Sequence, residues 1–471
     1  MVNEVDQEKY LRLSPYVPYD SSLEVYVQSE GHSAVSPTAG GVHPFEYTGW
    51  CDEELSWHNY CYLHAGLNPT GTYHIKGPDV LKVFSSHCVN SFANFPVGKG
   101  KHGIMCNEDG YIVQDGMVLR LGEDEFITYW MFPYIAYALQ KGNCNVRGEL
   151  LTGKVFLYQL AGPRSLEVVE AATGEDLRDI KFIHFRDSRI DGRKVTILRM
   201  GMAGTLAYEV HGQIQDAIPV YNALLKAGKA FGIRRLGRHA YRNAHTEGGF
   251  PQMSIHYQGS YDKGFIEFLQ KAEKEAPVFG LGRHTFTGSL EPDIRLHWRN
   301  PVEVGWTGMI KFDHDFIGRK ALEKEMVNPR RQMVTLVWNA EDCLDVYRSQ
   351  FQPGEPYNHM ELVEDYSYLI GSAEYHADKV LMDGQFIGIS SGRMFSPYYH
   401  EMISLCSINT TFSGLGTEVT VLWGNRGTRQ KEIRATVSRF PYIDKDRNEH
   451  FDVNQIPRPD VRSNSESNQK L

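Results

Sequence analysis

Two residues in this chain combine reactive chemistry with a distinctive setting, Glu209 and Tyr241. Glu209 ends the run Arg199-Met200-Gly201-Met202-Ala203-Gly204-Thr205-Leu206-Ala207-Tyr208-Glu209, where a glycine-rich turn delivers it to the head of an alternating segment closed by His211 and Gly212. A carboxylate fixed there can accept two N–H bonds from a flat amide-like or pterin-like ring edge. The plainer alternative is a β-turn followed by a strand with an exposed Glu. Tyr241 lies in Leu236-Gly237-Arg238-His239-Ala240-Tyr241-Arg242-Asn243, where packing of its ring in a core competes with any chemical role.

Other reactive groupings carry less. Gly98-Lys99-Gly100-Lys101-His102-Gly103 matches the glycine pattern that admits a dinucleotide pyrophosphate. Pro96 precedes it where a buried strand should end, and turn-forming Asn107-Glu108-Asp109-Gly110 follows soon after, so the expectation is a flexible loop. Asp313-His314-Asp315 has ligand-type side chains, but adjacent residues point in different directions, which favours a turn before Phe316-Ile317-Gly318. His-Glu-x-x-His, zinc-type cysteine spacing and a Gly-x-Ser-x-Gly elbow are all missing, so no metal site is expected and zinc and serine hydrolases lose their usual support.

The elements that must hold these residues are of mixed type, which excludes pure bundles and pure sandwiches. Ile75 to Phe84 reads as a strand end followed by a helix opened at Pro78, and Leu160 to Leu166 repeats that signal around Pro163, pointing to two related halves. Between Val220 and Phe231 the apolar Ala223, Leu224, Ala227 and Phe231 share one helical face, and Gly232 supplies a stop. From about Ser367 the pattern turns to period-two strands, as in Glu418 to Trp423. The spacing predicts a region over 1–365, a β-rich domain over 366–457 reached through an acidic linker around Asn339 to Glu364, and a mobile tail over 458–471.

The whole chain narrows the class further. Its 471 residues, 41% apolar and 12% aromatic, are ample for a large core in several domains. A net charge of -9 without a basic run leaves no footprint for nucleic acid. No stretch reaches the ~18 apolar residues of a membrane span, and the polar start is unlike a secretory signal. Seven scattered cysteines without Cys-x-x-Cys fit reduced thiols, so a cytoplasmic monomer or homodimer is expected.

The order of several blocks is similar to the aminomethyltransferase family of glycine cleavage. These are Lys76-Gly77-Pro78-Asp79, Asp109 to Gly116, Gln159-Leu160-Ala161-Gly162-Pro163, the turn into Glu209, Tyr241 to Gly249, Lys311 to Arg319, and Gly384 to Gly388 with Ser396-Pro397. Within that superfamily, Arg199 to Gly204, Lys311 to Leu322 and Val419 to Gly424 resemble the tetrahydrofolate-dependent O-demethylases of vanillate, 3-O-methylgallate and syringate. The resemblance implies an α+β fold, a three-domain cloverleaf around a central folate channel with a β-rich C-terminal barrel. It implies tetrahydrofolate as cofactor and a small aromatic methyl ether as substrate. By position, Glu209 corresponds to the carboxylate that holds the pterin, with Gln159, Asp115, Phe250 and Tyr129 as further folate contacts and Tyr241 beside the transferring methyl.

An aryl methyl ether demands alignment of folate N5 with the methyl and stabilisation of charge developing on oxygen. Tyr241 fits that second task, since a phenol of ordinary pKa near ~10 matches a phenol leaving group. His245 or His239 could relay the proton, with a structural imidazole as the plainer reading of each. Two departures stand out: Asn68-Pro69-Thr70 replaces a His-His-Met triplet, and Met131 replaces an arginine associated with the substrate carboxylate. Losing a bidentate arginine weakens a carboxylate ligand by on the order of 2 kcal/mol or more, so the expected ether is less polar, larger or differently substituted than vanillate. The alternatives are transfer from an amine or sulfur donor and a folate-binding protein without turnover.

Overall fold

A computed structural model of the chain describes residues 13–29, 41–142, 144–275, 284–363 and 373–459. The mixed signals resolve into an α+β architecture built on three large sheets and a small two-stranded ribbon.

The first sheet has six strands in the order Phe185–Ile190, Arg193–Leu198, Ala207–Gln213, Val155–Ala161, Tyr62–His64 and Arg234–Leu236. All neighbours are antiparallel except the last pair. Helices Ser165–Thr173 and Ala217–Gly228 cover one face through Leu166, Val169, Val220 and Leu224, the i, i+3 and i, i+4 spacings that make a buried stripe. The second of these continues as the short turn Lys229–Phe231 and stops at Gly232, whose φ of 71° is the left-handed conformation glycine adopts without strain.

The second sheet runs Gly100–Cys106, Ile112–Arg120, Glu125–Tyr129, Thr72–Lys76 and Arg147–Leu150. Its outer face carries helices Val80–His87, Tyr134–Lys141 and Lys263–Glu275, packed through Phe84, Ile135 and Phe265. The glycine-rich stretch expected as a flexible loop therefore leads into a strand from Gly100. The physical reason is the buried Met131 side chain, which crosses the paired Gly103 and Gly116 so closely that added Cβ atoms would lie 3.0 and 2.8 Å from it. The two strand-Gly-Pro-helix signals open matching turns in the first two lobes. Gly77 and Gly162 have φ of 145° and 129°, and a Cβ on either would sit 2.3 or 2.5 Å from a backbone oxygen.

The third sheet closes on itself as a six-stranded barrel of Ala373–Met382, Gln385–Ser396, Glu401–Asn409, Arg331–Trp338, Lys431–Ser438 and Glu418–Trp423, with the last pairing back to the first. His284–Thr287 adds a parallel strand outside. Arg331–Trp338 reaches the barrel from before residue 366. The segment expected as a linker carries helix Ala340–Ser349, capped where the Asn339 side chain accepts from the Asp342 backbone and anchored by buried Cys343 and Val346. Its acidic first turn, Glu341 and Asp342, lies where the helix dipole favours negative charge.

After the barrel the chain returns to the first lobe. Buried Arg199 donates to Asn448 and Phe451. Arg178 donates to the carbonyls of Val453 and Ile456, whose side chains complete the first-lobe core. Of the expected mobile tail, only Arg458 and Pro459 are among the described residues. No helix among the described residues is long and apolar enough to cross a membrane.

Candidate functional site

Register brings the reactive residues together. Leu198, Glu209, Gln159, His64 and Leu236 stand opposite one another across five neighbouring strands, so their side chains share one face. That face meets the second sheet: Tyr62, Leu157 and Leu198 pack with Met117, Leu119, Ile127 and Tyr129, and Tyr241 belongs to the same cluster.

Glu209 is only 2% exposed, unlike the exposed Glu of the plainer reading. Its Oε1 accepts from Gln159 Nε2 at 2.9 Å, and its Oε2 pairs with His211 Nε2 at 3.0 Å. Gln159 Oε1 is buried without a hydrogen-bond partner. Each carboxylate oxygen retains a free lone pair, so the group presents acceptors to a ligand edge rich in N–H donors. That donor requirement fits the amide and amino edge of a pterin.

Tyr241 ends the short helix Arg238–Tyr241, and His245 lies in the next, Asn243–Glu247. The Tyr241 ring stacks face to face on His64, with centroids 4.1 Å apart and planes 3° from parallel. It meets His245 edge-on at 5.4 Å. Burial pushes its phenol well above the ordinary value, the Tyr62 and Glu209 charges push the same way, and Gln159 beside the hydroxyl opposes them. His64 Nδ1 donates to the Leu236 carbonyl at 2.9 Å, and His245 Nδ1 to that of Phe250 at 3.3 Å. Because carbonyls only accept, each neutral imidazole has its bare Nε2 as an acceptor.

Asp115 accepts from the Tyr257 hydroxyl at 2.6 Å and pairs with His102 Nε2 at 2.9 Å. Phe250 lies between the two groups, with ring centroids 5.4 Å from His102, 5.5 Å from Trp306 and 6.2 Å from His245. Tyr129 touches Glu209 only through His211, its hydroxyl lying 2.9 Å from His211 Nδ1. All seven sequence-derived candidates, Tyr241, His245, Glu209, Gln159, Asp115, Phe250 and Tyr129, thus occupy one neighbourhood. His239 does not join them; it stacks on Phe45 and pairs with Glu46. Asp313 and His314 bond to each other, to Ser91 and to the Cys88 carbonyl, a structural turn. His64 was not legible as a site residue because its placement depends on strand register, and His211 because its partner Tyr129 comes from the other sheet. The Asn68 that stands in the altered triplet is fully buried and hydrogen bonds to Ala65 and Leu157, a structural role.

Burial holds His43 and His64 down at about 3 and His245 at about 4, with Arg238 lowering the first two further and Arg242 the third. As pH falls below the ordinary histidine value of about 6.5, the unfolded chain takes up protons that these folded imidazoles refuse, so stability drops towards pH 4. At pH 5 each group costs about 2 kcal/mol. Melting temperature should therefore fall steeply between pH 6.5 and 5, and less steeply in His43→Gln, whose site lies away from Tyr241. A flat profile for the unaltered chain over that window would contradict the assignment.

Comparison with known proteins gives a consistent picture. Residues 51–263 match the GCVT N-terminal domain. The chain is 42% identical over 440 residues to a sesamin methylene transferase of Sinomonas sp. (strain No.22), covering 92% of this chain and 97% of the relative. It is 31% identical over 423 residues to a syringate O-demethylase of Sphingobium sp. (strain NBRC 103272 / SYK-6), covering 85% and 89%. The glycine cleavage system aminomethyltransferase T from Bartonella henselae shares the fold, with a TM-score of 0.62 at 17% identity over 87% of this chain and 94% of that one.

Proposed function

Since the chain belongs to the aminomethyltransferase family defined by the GCVT N-terminal domain, we propose that it is a tetrahydrofolate-dependent enzyme that removes a one-carbon unit from an aryl ether. In the first form of this reading the unit is the methyl of an aryl methyl ether, and the products are a phenol and 5-methyltetrahydrofolate. The observation that carries it is the buried Glu209 carboxylate, braced by Gln159 and His211 on the same sheet face as His64, with the Tyr241 phenol beside Gln159.

Glu209 and Gln159 would hold the pterin edge through the acceptors they keep free. Bound tetrahydrofolate supplies N5 as the atom that receives the carbon. Tyr241, kept protonated by burial, would donate a proton to the ether oxygen as the O–C bond breaks and its electron pair goes to oxygen. The bare Nε2 of His245, held down at about 4 and therefore only a transient acceptor, would take the proton given up in forming the N–C bond and pass it on to restore the Tyr241 phenol. Phe250, with Trp306 beside it, supplies aromatic surface and helps exclude water.

A second reading takes a methylene unit held by two ring oxygens. It is favoured by the greater identity to the sesamin methylene transferase, 42% against 31% for the syringate O-demethylase. Incubating the protein and tetrahydrofolate with methoxyphenols, methoxybenzoates and methylenedioxybenzenes separates the forms by mass spectrometry. The first yields 5-methyltetrahydrofolate, and the second yields 5,10-methylenetetrahydrofolate with a catechol. Release of carbon from methylated amines alone would refute both.

A further inference from the structure

Two side chains stand in series behind the carboxylate of Glu209. His211 is two residues further along the same strand, on the same face, and Tyr129 closes the facing strand of the second sheet. All three are buried. Their rings and oxygens form one line, from Tyr129 hydroxyl to His211 Nδ1 at 2.9 Å and from His211 Nε2 to Glu209 Oε2 at 3.0 Å.

The direction of this line follows from hydrogen-bond chemistry. An ionised carboxylate can only accept, so His211 Nε2 must donate to it. A neutral imidazole then has a bare Nδ1, which can only accept, so the Tyr129 hydroxyl must donate in turn. We propose that His211 is a positioning residue for the ligand-holding carboxylate, orienting Glu209 through this one-way relay, and that Tyr129 acts through His211 rather than by touching folate. The proposal rests on the folate reading of Glu209 given above. With Gln159 on one oxygen and His211 on the other, the carboxylate is held from both sides, and each oxygen keeps a lone pair for a ligand's N–H groups. A charge desolvated between two sheets needs such donors, since an unbraced carboxylate there is unstable or mobile.

The relay makes a discriminating test possible, because glutamine can reproduce both of its bonds. Its amide N–H can donate to Glu209 while its amide oxygen accepts from Tyr129, whereas phenylalanine can do neither. The affinity of the full chain for tetrahydrofolate, measured anaerobically by calorimetry, is expected to fall on the order of tenfold or more in His211→Phe and to stay within roughly threefold in His211→Gln. Tyr129→Phe, which removes only the far hydroxyl, is expected to weaken binding by roughly two- to fivefold. Single-turnover rates at saturating folate should change less than about threefold in all three, a split between binding and chemistry that a general loss of packing would not produce.

Unchanged affinity in His211→Phe would overturn the proposal. So would His211→Gln binding as weakly as His211→Phe, which would mean a charged imidazolium, or Tyr129→Phe binding more weakly than either, which would mean direct contact with the ligand. If His211→Phe does not fold, Tyr129→Phe still decides, since unchanged affinity there removes the relay. Failure of the unaltered chain to bind tetrahydrofolate would instead overturn the functional reading itself, and the relay with it.

Discussion

Replacing Tyr241 with Phe is expected to lower kcat by about 10²- to 10⁴-fold, the range associated with losing a positioned proton donor. Affinity for tetrahydrofolate should stay within about threefold, because the ring and its stack on His64 survive the change. The stack fixes the ring plane, and the two neutral imidazoles around it offer no positive charge to stabilise a phenolate. Burial also disfavours the phenolate, so the group remains a donor across the physiological range. Rapid-quench measurement of methylated or methylenated folate in a single turnover reads the chemical step directly. A Tyr241→Phe rate within about threefold of the unaltered enzyme would remove Tyr241 from the chemistry and leave it as packing.

Glu209→Gln should produce the complementary result, a loss of folate affinity on the order of 100-fold with a smaller effect on the rate at saturation. The substitution preserves volume but replaces an acceptor-only group with one that is half donor, and it removes the charge from the bonds to the ligand. Each charge-assisted bond contributes about 1.5 to 3 kcal/mol, so losing the charge from two corresponds to roughly two orders of magnitude or more. The Gln159 amide and the His211 ring would also face a weaker partner. Calorimetry with tetrahydrofolate tests this, and an affinity close to that of the unaltered chain would show that the pterin lies elsewhere.

The residues of this neighbourhood differ in how far the sequence alone reveals them. Local signals put Glu209 on a strand behind a glycine-rich turn but favoured its exposure, and they sufficed for the strand-Gly-Pro-helix turns at Gly77 and Gly162, where backbone crowding forbids a side chain. Two further residues of the neighbourhood, His64 and His211, were not legible as site residues, for a definite reason. His64 faces the site only because Gln159 pairs with both Glu209 and His64, whereas His211 shares the face of Glu209 by strand alternation but meets its partner Tyr129 only across two sheets. Register of that kind is set by long-range pairing, which no short stretch of sequence encodes. The acidic stretch expected as a linker begins with a capped helix, for whose first turn its charges are suited, with burial confined to a few positions such as Cys343 and Val346. Gly98 to Gly103, expected as a flexible loop, instead enters a strand at Gly100, where Gly103 makes room for Met131.

The return of the last segment to the first lobe bears on how the chain is made. Val453 and Ile456 fill the hydrophobic interior that Tyr16, Val17 and Leu166 begin, and Arg178 and Arg199 fasten the segment in place. These residues follow the barrel in the chain and are synthesised after it, so the first lobe, whose strands precede the barrel, waits for its final pieces until the barrel has been made. Until then its apolar interior stays open to solvent, and a stop codon anywhere after the barrel but before residue 453 would leave it permanently unsealed.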